Sequence, residues 1–168
     1  VNVVLNPIKL TIVNYEEGSE TLEGEVNPES TINEVREIPF SKHLYIEKED
    51  FREEANRKYF RLSLGKEVRL KNAYIIRGES VIKDKSGNIT EVLCTYDKGS
   101  KSGSGSEASK RKVKGTLHWV CRHQAIKIKV NLYVRLFKEP AADQHENKAV
   151  LDFFNPYSLE EIFAVQEP

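Results

Sequence analysis

Methionine is absent from this 168-residue sequence, and cysteine is scarce. The chain opens at Val1 without an initiating methionine, which favours a fragment or a processed chain. The two cysteines, Cys94 and Cys121, lack the CxxC spacing of zinc sites, and two are too few for a disulfide framework. We therefore expect two reduced, mostly buried thiols in a cytoplasmic protein.

Long apolar runs are missing as well. No stretch approaches the roughly 18 apolar residues that mark a membrane-spanning helix. The first residues have neither the basic segment nor the cleavage site of a secretory signal. The sequence therefore predicts no membrane partner.

Signatures of catalysis are also lacking. There is neither a P-loop nor the glycine fingerprint of a dinucleotide-binding fold. A strand would direct His118 and His123 to opposite faces, which disfavours a shared metal. Cys121 has no base and orienting group of the kind that a nucleophile requires. We expect no catalytic residue, no metal site and no cofactor in this chain.

The charge that is present is strongly segregated, although 26 basic and 26 acidic residues give a net charge of zero. Residues 15–56 contain 13 acidic and 4 basic side chains, whereas residues 57–83 contain 8 basic and 2 acidic ones. Residues 98–138 contain 11 basic and 1 acidic, and residues 139–168 contain 7 acidic and 1 basic. This layout favours a positive face that binds a polyanion over ordinary solvated strand faces.

Period-two alternation indicates a β-rich fold. Its clearest example runs from Ala125 to Phe137, where apolar residues alternate with a largely cationic set. Further strands are predicted over Glu67–Lys83, its hairpin partner Ile89–Tyr96, Thr116–Arg122 and Ile8–Tyr15. Closed β-barrels with small helical additions fit this pattern.

Helical signals are few. Phe51, Ala55 and Tyr59 recur at helical spacing and predict a helix over Glu47–Tyr59. A capping-box pattern at Ser158–Glu161 predicts a short helix towards Val165. The Gly- and Ser-rich segment 99–110 is predicted to be a flexible loop.

The segment from Gly65 to Tyr74 has the chemical inventory of an RNA-binding strand. Arg69 and Lys71 would share one face about 6.6 Å apart, close to the spacing of successive phosphates. Asn72 and Tyr74 would share the other face, and single-stranded RNA is commonly bound by such cationic, amide and aromatic side chains. An ordinary surface hairpin with strand charges is the alternative.

The same segment carries a family resemblance. Residues 50–74, which include the run GKEVRLKNAY, resemble the hallmark segment of glutaminyl-tRNA synthetases. The remaining similar blocks follow in the family's order: Asn6–Leu10 before it, then Gly87–Asp97, Lys112–Val120, Leu132–Phe137 and Asn155–Ser158. Together the blocks cover nearly the whole chain.

The resemblance implies a mainly β fold of two tandem β-barrels with short helices, related to a ribosomal protein that binds 5S rRNA. Residues 1–30 and 150–168 would form parts of the proximal barrel, and residues 31–149 the distal barrel with the flexible loop 99–110. Family members continue beyond the position of Pro168, so the proximal barrel is expected to be incomplete, with an exposed edge.

The function implied is recognition of the anticodon loop of tRNA(Gln), with its middle uracil. The parent enzyme would attach glutamine to tRNA, and ATP and magnesium would belong to a catalytic domain in the same polypeptide. The resemblance implies anticodon contacts by Lys66 and Lys71 above all. The supporting and weaker candidates are Arg69, Asn72, Tyr74, Asn6 and Lys9.

Other expectations concern the core and rival functions. Trp119, Tyr96 and Cys94 are expected in a barrel core. Lys71 stands where the family more often has arginine, so it would supply a point charge and not a bidentate contact.

The alternative functions are the anticodon-binding domain of a eukaryotic-type glutamyl-tRNA synthetase, a stand-alone rRNA-binding barrel, and a hydrolase using His118, His123 or Cys121.

Overall fold

The computed structural model describes residues 2–26, 34–140, 143 and 148–168. Strands account for 49% of the described residues and helices for 9%, which confirms the predicted mainly β class. The first seven strands are β1 (Val3–Val4), β2 (Pro7–Ile12), β3 (Ser19–Glu25), β4 (Val35–Ser41), β5 (His43–Glu47), β6 (Phe51–Arg52) and β7 (Leu62–Ser63). They are followed by β8 (Glu67–Leu70), β9 (Ile75–Lys83), β10 (Ile89–Asp97), β11 (Thr116–Leu117), β12 (Val120–Cys121), β13 (Ile126–Tyr133) and β14 (Leu159–Gln166).

Helical structure is limited to short pieces. A single α-helix, α1, spans Glu107–Lys110 in the described part of the chain, and 3-10 turns span Lys48–Asp50, Lys98–Ser100 and Val150–Phe153. Across the ranges given above, no helix combines the length and the apolar character needed to cross a membrane.

A seven-stranded sheet dominates the structure and curls into an open half-barrel. Its strand order is β11-β8-β9-β10-β2-β5-β12, and β10 pairs in parallel with β2 but antiparallel with β9. Alternate residues of β2, such as Leu10 and Ile12, point into the core and are fully buried. The curl of the sheet wraps this core.

Aromatic side chains fill the centre of this core. The rings of Trp119 and Phe40 meet edge to face with centroids 5.1 Å apart. Trp119 and Cys94 are buried, and Tyr96 packs against the same cluster. The predicted core positions of these three residues are therefore confirmed.

A three-stranded sheet in the order β1-β14-β13 lies beside the large sheet. The strand predicted over Ala125–Phe137 is present as β13 and pairs along its whole length with β14. The helix predicted from Ser158 towards Val165 is wrong, because these residues form β14. Eight cross-strand pairs with β13 outweigh the local capping signal.

The helix predicted over Glu47–Tyr59 is also wrong. Only the 3-10 turn Lys48–Asp50 forms there, and β6 then pairs in parallel with β7. Phe51 is buried in the main core opposite Leu62, and this burial requires an extended backbone. Tertiary packing thus overrides a weak helical periodicity.

The strand predicted over Glu67–Lys83 is divided by a turn. β8 ends at Leu70, and the amide of Leu70 donates to the carbonyl of Tyr74 at 2.8 Å. Asn72 has a φ of 60°, a left-handed conformation that asparagine tolerates better than most residues. β8 and β9 therefore form a hairpin, while β9 and β10 form the predicted hairpin around Asp84–Asn88.

Strand pairing does not follow the ranges expected for two barrels. β2 lies in the range 1–30, yet it pairs with β5 and β10 of the range 31–149. β13 lies in the range 31–149, yet it pairs with β14. The division into two barrels at these boundaries stays a prediction, and the boundary at residues 30 and 31 lies outside the described residues.

Candidate nucleic-acid interface

A groove of about 680 Å³ opens at one side of the large sheet, and we call it the basic groove. Six Lys and Arg residues and one acidic residue line it, together with two aromatic rings. Its lining comprises Arg57, Tyr59, Phe60, Arg61, Gly65, Lys66, Glu67, Arg77, Lys112, Val113 and Lys114. Cations interleaved with aromatic rings are typical of surfaces that bind single-stranded nucleic acid.

Three connecting segments meet in the basic groove, beside Arg77 of β9. Residues 57–61 connect β6 to β7, residues 65–67 form the turn into β8, and residues 112–114 precede β11. The first and third segments touch where Gly115 lies against Phe60, and a β-carbon at Gly115 would overlap the carbonyl oxygen of Phe60. This close backbone approach requires glycine and holds the two cationic segments together.

Phe60 provides an exposed ring beside this cationic lining. Its side chain is 52% exposed, and the ammonium of Lys114 lies 5.7 Å from the ring centroid. Tyr59 has its ring covered by the guanidinium of Arg52 at 4.8 Å, and its hydroxyl donates to the carbonyl of Glu49 at 3.0 Å. Phe60 is therefore the groove ring better exposed for stacking on a base.

Most groove cations have no acidic partner. Arg111, just outside the groove, pairs with Glu67 and also with Asp97 at 3.0 Å. The hydrogen bond to Glu67 raises the pKa of the Arg111 guanidinium. Because Arg111 neutralises the acidic residue of the lining, the field in the basic groove is positive. Among the described residues, five groove cations form neither an ion pair nor a side-chain hydrogen bond, namely Arg57, Lys66, Arg77, Lys112 and Lys114.

Of the seven predicted contact residues, Lys66 lies in the basic groove. It is exposed at the turn between β7 and β8. Lys71 is exposed in the turn between β8 and β9, outside the groove lining. Its backbone carbonyl accepts a hydrogen bond from Nε1 of Trp119 at 2.9 Å, which ties this turn to the core.

Arg69 makes hydrogen bonds within the fold. Its guanidinium donates to the carbonyl of Ser100 at 3.0 Å, the hydroxyl of Ser102 at 3.1 Å and the carbonyl of Ser109 at 2.8 Å. Ser106 caps α1 by accepting from the amide of Ser109 at 2.9 Å. The segment 99–110, whose flexibility stays a prediction, is bonded to β8 through these contacts.

Tyr74 and Asn72 are likewise engaged by neighbouring residues. Tyr74 is 5% exposed, and its hydroxyl donates to Oε1 of Glu20 at 2.8 Å. Burial and the hydrogen bond to Glu20 raise the pKa of Tyr74. Asn72 packs so closely on Gly24 that a β-carbon there would lie 2.7 Å from its amide nitrogen. Neither residue lines the basic groove.

The two weaker candidates lie on and beside β2. Lys9 is exposed between Tyr45 of β5 and Glu91 of β10. Asn6 is exposed, and its backbone amide donates to the carboxylate of Glu47 at 2.9 Å. These two residues also lie outside the basic groove. The structure thus brings Lys66 together with groove residues, but not with the other six candidates.

Several groove residues escaped the sequence reasoning. The sequence analysis includes Arg57, Tyr59, Phe60 and Arg61 in a predicted helix end, its flank and a family block, but it does not predict them to contact RNA. Lys112 and Lys114 likewise belong to a family block and a basic segment without a predicted contact. The signal that could have found them is the run RKYFR at residues 57–61, which alternates cations with two aromatic rings.

The residues of the hydrolase alternative do not form a catalytic arrangement. Cys121 and Cys94 are free and buried, as predicted, and Sγ of Cys121 lies 3.3 Å from the hydroxyl of Ser41. Nε2 of His118 lies 3.5 Å from Glu47, whereas the ring of His123 packs against His43. Over the residues that the structure describes, no three His, Cys, Asp or Glu side chains are grouped to hold a metal.

Comparison with known proteins extends this picture. Residues 1–97 match a family described as tRNA synthetases class I (E and Q), anti-codon binding domain, and residues 116–168 match a second family of the same description. A glutamine–tRNA ligase of Rhodopirellula baltica is 53% identical over 98% of this chain. Those of Clostridium kluyveri and Vibrio campbellii are each 46% identical over 98% of it.

The chain spans only 28% to 30% of the length of these three relatives. Its family models nevertheless cover both the half-barrel strands up to β10 and the segment from β11 onwards. The chain therefore belongs to the anticodon-binding domain family of the class I glutamyl- and glutaminyl-tRNA synthetases.

Proposed function

We propose that the basic groove binds the anticodon loop of tRNA(Gln). The observation that carries this proposal is the coincidence of six cations and the exposed ring of Phe60 in one groove of an anticodon-binding domain. The cations would contact phosphates, while Phe60 would stack on an unpaired base.

Glutamine is the amino acid that the relatives favour. The family description covers both the glutamate and the glutamine enzymes, but the similar proteins reported above are named glutamine–tRNA ligases. We therefore prefer tRNA(Gln) to the tRNA of a glutamyl enzyme. A stand-alone rRNA-binding barrel is less well supported, because those relatives extend well beyond the region that this chain matches.

The parent protein, in this proposal, attaches glutamine to tRNA with ATP. ATP and magnesium would bind in a catalytic domain of the same polypeptide, outside the residues of this chain. This chain would contribute binding and discrimination of the tRNA. A cytoplasmic location, where tRNA is charged, accompanies the proposal.

The test is fluorescence-anisotropy binding of the 168-residue chain to labelled anticodon stem-loops. We compare the glutamine-type loop with one whose middle uracil is changed, and the chain with its Lys66→Ala and Lys114→Ala variants. Loss of a base contact is expected to cost about 1–3 kcal/mol. Loss of a phosphate contact is expected to weaken binding to all loops and to lower the salt slope by about 1.

Lys85→Ala is the matched control. Lys85 is exposed in the turn between β9 and β10 and does not line the basic groove, so its loss should leave the affinity close to that of the unmodified chain. Equal effects of Lys66→Ala and Lys85→Ala would contradict a role for the basic groove. Equal binding of both loops would reduce the proposal to a general polyanion surface.

A further inference from the structure

Asp50 is a buried carboxylate with an incomplete set of hydrogen-bond partners. The residue is 4% exposed, and its Oδ1 accepts a hydrogen bond from Nη1 of Arg61. Its other oxygen, Oδ2, is shielded from solvent and has no hydrogen-bond partner within the described residues. Burying a charge that is only partly paired opposes folding. A role in binding would explain why an acidic residue occupies this position.

The backbone places Asp50 beside Arg61. β6 and β7 pair in parallel, with Phe51 opposite Leu62. Asp50 directly precedes Phe51, and Arg61 directly precedes Leu62, so the two side chains start from adjacent strand ends. The pairing of β6 with β7 therefore fixes the backbone positions from which Asp50 and Arg61 form their ion pair.

Arg61 connects this buried group to the basic groove. Its side chain is 52% exposed, and it lines both the groove and a second cavity of about 520 Å³. The second cavity is lined by Glu49, Asp50, Phe51, Arg52, Tyr59 and Arg61. A guanidinium has five N–H donors in a planar fork, so an ion pair through Nη1 leaves other donors for a ligand.

We propose that Asp50 is a positioning residue that fixes the guanidinium of Arg61 for contact with RNA in the basic groove. This inference rests on the proposed function. Asp50 itself is shielded and does not touch the RNA. It restricts the rotamers of Arg61, so that less conformational freedom is lost when the RNA binds.

The sign of the effect separates this role from simple electrostatics. A negative charge close to an RNA site repels the phosphates, so its removal should strengthen binding if the charge acts only through its field. Removal of a positioning carboxylate should weaken binding, because Arg61 is then free to leave its orientation. Asp50→Asn removes the charge with little change in shape, and it removes a buried charge whose cost opposes folding.

The experiment measures the affinity of the 168-residue chain for the glutamine-type stem-loop by fluorescence anisotropy. We expect Asp50→Asn to weaken binding about tenfold and Arg61→Ala to weaken it at least as much. In the Arg61→Ala background, Asp50→Asn should have little further effect, because the two residues act as a pair. Asp50→Glu keeps the charge but displaces it, and we expect it to weaken binding as well.

Glu53→Gln is the matched control. Glu53 is a nearby acidic residue paired with Lys83 at 2.8 Å, and it does not line the basic groove. Its neutralisation should leave binding unchanged or slightly stronger. Thermal unfolding of each variant, followed by circular dichroism, shows that the chain remains folded at the temperature of the binding assay.

A pH series provides a second readout. Burial raises the pKa of Asp50 above its ordinary value of 3.8, although Arg61 opposes this rise. Affinity for RNA should therefore fall once the pH is low enough to protonate Asp50, and this fall should be absent from Asp50→Asn. His118, Glu47, Glu49, Arg52 and Tyr59 also face or neighbour Asp50.

The outcomes distinguish a positioning role of Asp50 from RNA binding by the basic groove. If Arg61→Ala weakens binding but Asp50→Asn does not, Asp50 has no positioning role and the proposed function stands. If neither Arg61→Ala nor Lys66→Ala changes binding, the basic groove is not the RNA site and both proposals fail.

Discussion

Arg69 and Lys66 lie three positions apart in one basic segment, yet their side chains have different surroundings. Lys66 lines the basic groove, whereas the guanidinium of Arg69 donates to Ser100, Ser102 and Ser109. Charge and spacing alone cannot separate these two situations, because Lys66 directly precedes β8 and Arg69 lies within the same short strand. The forked geometry of arginine suits it to bond several carbonyl and hydroxyl oxygens at once.

Arg69→Lys tests this structural role. A single ammonium cannot replace the hydrogen bonds made by two guanidinium nitrogens, so we expect the free energy of unfolding to fall by about 1–3 kcal/mol in urea titrations. The amide of Ser109, which is bonded to Ser106, should exchange its hydrogen faster. Arg77→Lys is the control, because Arg77 is exposed, and we expect a change within about 0.5 kcal/mol. Equal stability of the two variants would contradict this interpretation.

At the scale of elements, alternation predicted strands well where both partners are long. β13 and the β9–β10 hairpin follow from period-two patterns and from the turn residues Lys85–Asn88. The two predicted helices failed because their residues pair with distant strands, Phe51 with Leu62 and Ala164 with Ile128. Local sequence patterns do not identify such distant partners. The prediction of the site was affected most, because groove residues 57–61 lie at the end of a wrongly predicted helix.

The β3–β4 hairpin and the segment 99–110 are joined through Glu20. Its carboxylate accepts hydrogen bonds from Tyr74 at 2.8 Å, Tyr15 at 2.9 Å and Lys101 at 3.0 Å. Burial opposes ionisation of Glu20, but these hydrogen bonds prevail and lower its pKa below the ordinary value of 4.5. The folded state therefore favours the ionised carboxylate more than the unfolded state does.

The hydrogen bonds to Glu20 predict a contribution to folding stability that is lost in acid. Because the pKa of Glu20 is lower in the folded chain, its contribution is present above pH 4.5 and is lost as the pH falls further through the folded value. We expect Glu20→Gln to lower the free energy of unfolding by about 1–3 kcal/mol at pH 7. The difference between the variant and the unmodified chain should shrink below pH 4. A difference that is constant from pH 7 to pH 3 would contradict the linkage.

For the whole molecule, a net charge of zero coexists with a local positive field. Long-range attraction of RNA to a neutral protein is weak, so association depends on the charges within one Debye length of the basic groove. Six cations line that groove, and each phosphate contact on single-stranded RNA contributes about 0.7 to the salt slope. The slope of log K against log salt should therefore not be steeper than about −4. A markedly steeper slope would indicate phosphate contacts outside the basic groove.

The placement of β2 also affects how the chain folds as it is made. β2 pairs with β5 on one side, but its other neighbour, β10, is synthesised more than 80 residues after it. At typical translation rates this delay is on the order of ten seconds. Throughout that interval one edge of β2 lacks its native partner, so the nascent chain depends on shielding of this strand until β10 emerges from the ribosome.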